Sequence, residues 1–176
     1  MKSSSLSTVL SSPYEWKASL LVLLGSILLP LLVHLIPYQG LGPLGARLLP
    51  IFLFPLMGVV WFRWEVGALG VLAPLISFVI TGQPQGMMLT GLSLQLALFV
   101  GVVALLHRQQ LLLWFIGPFA YVLSLIVSRS LLQIFAPQWT FPIEVQTALQ
   151  LAWPGMLILG LLSLRAAFAR RTSPAK

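Results

Sequence analysis

The sequence predicts an all-α integral membrane protein: a six-helix bundle with its N and C termini on the cytoplasmic side. Three observations point there. Of the 176 residues, 59% are hydrophobic and 7% charged, with a mean hydropathy of +1.00, whereas a soluble globular domain carries about 25% charged residues. The apolar residues come in long runs broken by Gly/Pro clusters. The clearest is the run 66–80, which collapses into Thr81-Gly82-Gln83-Pro84-Gln85-Gly86 before a second run starts at Met87. In hydrocarbon every backbone N–H and C=O must be satisfied within the segment, so two such runs around a break form a helical hairpin. Finally, the basic residues gather at alternate span ends.

The chain has room for about six spans of 17–25 residues with short links and for no separate soluble domain. Residues 1–17 form a cytoplasmic or interfacial tail. This tail is either disordered over Ser3 to Ser12 or an interfacial helix anchored by Tyr14 and Trp16, and it lacks the continuous apolar core of a secretory signal. The transmembrane domain covers residues 18–164. Its first span, 18–36, contains Pro30 and ends in a turn-rich loop, 37–47. The second, from Leu48 to about Trp61, is short, carries Pro50 and Pro55, and stops at Arg63-Trp64-Glu65. The third, 66–80, contains Pro74. Spans that are short or broken by proline are tolerated where neighbouring helices or a water-filled cavity satisfy the freed backbone groups. The fourth span, 87–106, closes at His107-Arg108-Gln109-Gln110, and the fifth, 111–135, has Gly117-Pro118 near its start. The link 136–144 leads to the sixth, 145–164, followed by a basic cytoplasmic tail, 165–176.

Lys and Arg in short loops are retained on the cytoplasmic side. With both termini inside, that side carries Lys2, Lys17, Arg63, Arg108, Arg165, Arg170, Arg171 and Lys176; the other carries Arg47, with Arg129 inside the fifth span. The loops 37–47, 82–86 and 136–144 then share the outer face. The net charge of +7 reports topology rather than nucleic-acid binding, because no basic stripe is interleaved with aromatics. No nucleic-acid partner is expected.

Catalysis finds little support, and no enzyme activity is expected. The chain has no Asp and no Cys, no paired intramembrane carboxylates, no recognisable Ser/His pair and no phosphate loop. No metal site is expected either, since neither His34 nor His107 has a second ligand at metal spacing.

Several polar and aromatic residues are candidates for a binding site. Arg129, within a span, is costly unless functional; it either holds a substrate carboxylate or phosphate or snorkels to headgroups. Gln133 lies on its face at i+4. Gln95, mid-span, binds ligand or bonds helices together. Gln83 and Gln85 sit in the outer break as gate residues or as solvated turn residues. Gln146 and Gln150 start the sixth span on one side. Trp139, Phe141 and Tyr38 either stack on a planar ring or belong to an interfacial aromatic belt. His34 is a minor candidate as an axial ligand to a cobalt-containing cofactor.

One stretch carries a family resemblance. Leu49-Pro50-Ile51-Phe52, the run Gly67-Ala68-Leu69-Gly70-Val71-Leu72-Ala73-Pro74-Leu75-Ile76-Ser77-Phe78, then Thr81-Gly82-Gln83-Pro84 and Met87-Met88-Leu89-Thr90 resemble the substrate-binding S components of energy-coupling factor (ECF) transporters. The likeness covers residues 48–106 well and the remainder by span count and topology. It implies a six-helix protein of a bacterial or archaeal cytoplasmic (inner) membrane that captures a vitamin or vitamin precursor under the loops 37–47, 82–86 and 136–144. Thr90, at the end of the matching stretch, joins the candidate site on this ground. Cobalamin, biotin, thiamine, folate or a related heterocycle is the implied ligand class, with no intrinsic cofactor. The implied partners are membrane lipid and a transmembrane coupling subunit driven by two ATPases. That coupling contact usually uses Ala-x-x-x-Ala in the first span. Here the first span offers Ala18, Ser19, Gly25 and Ser26 but no such pattern, which keeps a protein acting alone in view. The rival reading is a non-transport membrane scaffold or assembly subunit.

Overall fold

The computed structural model describes residues 13–35, 49–82, 86–110, 114–137 and 145–172, and every element among them is helical. The helices are α1 (Pro13–Leu35), α2 (Pro50–Phe62), α3 (Trp64–Thr81), α4 (Gly86–Arg108), α5 (Ile116–Phe135) and α6 (Val145–Thr172). Four carry windows long and apolar enough to cross a membrane: α3, α4, α5 and the stretch Val145–Ala169 of α6. The apolar stretch Trp16–Leu32 of α1 and all of α2 are shorter. The protein is a multi-pass membrane protein.

Three boundaries differ most from the sequence expectation, the start of the fifth helix at Ile116 rather than Leu111 being one. The first helix begins at Pro13 rather than at Ala18, and the sixth continues through the start of the basic tail to Thr172. Proline suits the first turn of a helix, where its missing N–H has no intrahelical partner to lose. At the other end, Arg165 and its neighbours are good helix formers whose charge complements a C-terminal dipole. Hydropathy alone marks the apolar part of each helix and not its polar extension.

The second and third helices bend where the sequence breaks their ladders. Pro50 opens α2 after Leu49, which sits in left-handed backbone (φ 51°). Pro55 removes one ladder donor, and from Gly58 to Phe62 the helix loosens into a π-helical turn. Arg63 is extended (φ −147°, ψ 157°) and α3 starts again at Trp64 with Glu65 in its first turn, where a carboxylate suits the positive helix end. Within α3, Gly70–Leu72 tightens to a 3-10 turn just ahead of Pro74. Gly82 then closes it in left-handed backbone, φ 71°, with its N–H donating to the Phe78 carbonyl at 2.8 Å.

Close backbone approach holds this half together. Gly58 and Gly67 face each other so tightly that a Cβ on Gly58 would stand 2.7 Å from the Gly67 Cα. Ser26 of α1 lies against Gly70, and Gly25 against the Phe54 ring. Lipid tails are as apolar as leucine, so helices in a bilayer associate through such small-residue contacts rather than through the hydrophobic effect. The other half follows the same rule: Ala120, Ser124 and Ser128 repeat every fourth residue along α5, all at most 2% exposed. The Ser124 and Ser128 hydroxyls donate back to the carbonyls of Tyr121 (2.9 Å) and Leu125 (3.1 Å), so neither is left orphaned.

The α5–α6 contact adds a cap across helices. Gly117, in the first turn of α5, donates its N–H to Ser163 Oγ at 3.0 Å, while that hydroxyl donates to the Leu159 carbonyl at 2.7 Å. The first N–H groups of a helix have no partner within it, and this one is buried. Ser163→Ala is expected to leave it unsatisfied at a cost of about 1–2 kcal/mol. A lower midpoint in thermal unfolding of the detergent-purified protein checks this.

Candidate functional site

The core where α2, α4 and α5 meet is aromatic. Phe52 packs edge-on against Phe99 (centroids 5.0 Å, 74°) and against Tyr121 (5.2 Å, 84°), the arrangement that sets a positive ring edge on a negative face. Phe99 and Leu96 are fully buried, and the arc of α4 they define turns inward. Gln95 stands at the flank of that arc facing α5, one turn before Phe99.

The Gln95 amide approaches the Tyr121 hydroxyl, but its buried Nε2 has no acceptor in good hydrogen-bond geometry. A buried amide N–H left unmade costs roughly 1–3 kcal/mol, so the side chain presents an unused donor inside the bundle. Arg129, half-buried on α5, lies about 12 Å along the helix from Tyr121 at 1.5 Å per residue, and its guanidinium is close enough to interact electrostatically with the tyrosine hydroxyl. Because described α5 begins at Ile116, Arg129 is about 20 Å from that end rather than the 27 Å that a start at Leu111 implies. The groups here are the Gln95 amide and the Tyr121 phenol, whose ring packs on Phe52, with the Arg129 guanidinium further along α5. Such a set suits a planar molecule with carbonyl or ring-nitrogen acceptors and an acidic group.

The remaining candidates are less convergent. Gln133 and Gln146 are exposed, as is Gln150, so they do not extend the polar wall around Gln95. Thr90 is exposed and its Oγ1 donates to the Gly86 carbonyl at 3.4 Å. These three glutamines share the helical spacing of the sequence reading, but the apolar face of each helix that packs inward is a different one. Tyr38, Gln83, Gln85 and Trp139, together with most of the three proposed outer loops, lie outside the described residues, as does the side chain of His34. Among the described residues no group of His, Cys, Asp or Glu is placed to hold a metal ion.

Sequence reasoning missed Tyr121 and Ser93. The chain has three tyrosines, and Tyr121 alone sits deep in an apolar run, where its hydroxyl needs a partner; that was the available signal. Ser93, whose Oγ is buried without a hydrogen bond on the other flank of the α4 arc, carries no such mark, because serine is common in membrane helices.

Charge is distributed along the bundle axis as well. Ala18 and Val22 of α1 pack with Val66 of α3 and against Phe62 of α2, so the start of α1, the end of α2 and the start of α3 share one end. The end of α4 meets them there, since Ala104, Leu105, His107 and Arg108 line a common cavity with Val59, Phe62, Arg63 and Trp64. Lys17, Arg63 and Arg108 thus stand together, away from Arg129. The Arg63 Nη2 reaches Glu65 Oε1 at 3.2 Å. Comparisons with protein families, with curated proteins and with solved structures give no match to this chain.

Proposed function

We propose that this protein is a six-span membrane protein, both termini cytoplasmic, that captures a vitamin or vitamin precursor from the outer face of a bacterial or archaeal cytoplasmic membrane. The observation that carries the reading is the Gln95 amide: a buried Nε2 without a hydrogen-bond acceptor, close to the Tyr121 hydroxyl, in a chain otherwise free to fill that place with leucine. Hydrocarbon selects against such a group unless something binds it. The gathering of Lys17, Arg63 and Arg108 at one end supports the orientation, with Arg129 towards the other. The likeness of residues 48–106 to ECF S components supports the substrate class, a vitamin-like heterocycle, and Arg129 supports an acidic group on it.

Transport needs energy that this chain has no nucleotide-binding motif to supply, so a coupling subunit with ATPases or the substrate gradient provides it. The small residues of α1 that would meet a coupling subunit are turned into the bundle: Ala18, Ser19 and Ser26 are all buried. That placement favours a protein that works alone or couples through another face.

Mass spectrometry of small molecules retained by the purified protein tests the reading. A single planar, acidic heterocycle is the expected result, and Arg129→Ala is expected to weaken its binding about tenfold by removing a charge-assisted bond. If no compound in a vitamin panel raises the melting temperature and a stable protein partner co-purifies instead, the protein is a scaffold.

A further inference from the structure

The corner where α2 ends, α3 begins and α4 ends encloses a cavity of about 430 Å³ whose chemistry changes with depth. Along both α2 and α4 the lining runs from apolar to cationic towards the helix ends. Val59 and Phe62 precede Arg63, and Leu105 precedes His107 and Arg108. Val59 is buried and Phe62 partly so, whereas Leu105, 59% exposed, lies on the open, lipid-facing side beside Arg108. Trp64, 58% exposed, flanks the opening in the manner of an indole at a membrane–water interface.

Arg63 is held rather than loose. Glu65, whose side chain is 9% exposed, contacts its Nη2 at 3.2 Å from the protein side, while the Arg63 side chain stays 37% exposed. With Arg108 opposite, the corner keeps a net positive charge. Basic residues at the end of α4 also complement that helix's own dipole. That role needs neither a cavity nor an arginine from a second element.

We propose that this cavity binds an anionic phospholipid. Its phosphate sits against Arg63 and Arg108, and its glycerol and upper acyl chain lie along Val59, Phe62 and Leu105. A free phosphate ion would use the cationic rim but has no use for the apolar depth, and a neutral lipid would use the depth but not the rim. Lipid phosphate binding between helix ends needs this pairing.

The test uses the full-length protein in detergent, with retention of phosphatidylglycerol and phosphatidylcholine of equal chain length measured by native mass spectrometry. Phosphatidylglycerol is expected to be retained in preference. Arg108→Gln is expected to cut its occupancy about fivefold, and Arg108→Lys to keep most of it. Leu105→Trp, which fills the apolar part, is expected to cut it without a change of charge. Arg165→Gln, an exposed arginine of α6 outside the cavity, is expected to change nothing. Equal retention of the two lipids overturns the proposal, as does a loss in Arg165→Gln matching that in Arg108→Gln. Stabilisation of the wild type by millimolar inorganic phosphate that is lost in Arg108→Gln also overturns it, assigning the site to a soluble anion.

Discussion

Replacing Gln95 by leucine is expected to separate binding from stability: affinity for the retained molecule falls at least tenfold while the melting temperature holds or rises. The two side chains are close in size, so the packing around Leu96 and Phe99 is kept. What is removed is a buried Nε2 with no acceptor. Its relief is worth about 1 kcal/mol, at the low end of the range for an unsatisfied donor because a chain unfolded within a membrane also finds partners. In the bound state the same N–H makes a desolvated hydrogen bond, and losing about 1.5 kcal/mol there is a tenfold change in affinity. A glutamine serving only to join α4 to α5 gives the opposite signs. Isothermal titration with the identified ligand, alongside thermal unfolding, reads both.

Gly67→Ala is expected to be among the most damaging single-methyl changes in the described bundle, together with Gly58→Ala on the facing helix. The Cβ added at Gly67 would overlap the Val59 side chain and come within 2.8 Å of the Pro55 carbonyl oxygen and 2.9 Å of the Val59 nitrogen. Backbone atoms cannot rotate aside as a side-chain tip does, so α3 must move off α2. Overpacking of this kind costs about 1–3 kcal/mol, and a leucine at the same place is expected to abolish the folded state. Gly101→Ala is the matched control. It lies mid-helix in α4 with nothing within 4 Å of its Cβ position, so the methyl brings only helix propensity, a gain of up to about 1 kcal/mol. Size-exclusion profiles and melting temperatures of the two variants should diverge in opposite directions from the wild type.

These cases show what was legible in the sequence. Runs of apolar residues and their Gly/Pro breaks located the helices, and Arg63-Trp64-Glu65 marked the turn between α2 and α3 correctly, because charge cannot stay in hydrocarbon. Facing was harder to read. In a soluble protein polarity tells inside from outside, but here Leu24 and Leu28 point out and Leu56 and Leu96 point in, with no difference in residue type. The inward faces are marked instead by small residues at four-residue spacing, such as Ala120, Ser124 and Ser128. That signal becomes visible only once the neighbouring helix is known. Gln95 stands out because an amide in an apolar run is conspicuous, and its Nε2 does lie inside the bundle. Gln133, Gln146 and Gln150 are just as conspicuous, yet they are exposed near helix ends where water or headgroups solvate them, so polarity alone does not mark the inward face.

The serines of α1 set the terms on which anything else in the bilayer can meet this protein. Its inward side is spent on Gly70 and Phe54, and what it shows the lipid is a ridge of branched chains, Leu20, Leu24, Leu28 and Leu32. A helix arriving on that flank cannot slide in backbone to backbone; it must mesh its own side chains between those leucines at the wider spacing of about 8–10 Å. How tightly such a contact holds is then set by how well the newcomer's side chains fit the gaps between those leucines, not by backbone proximity.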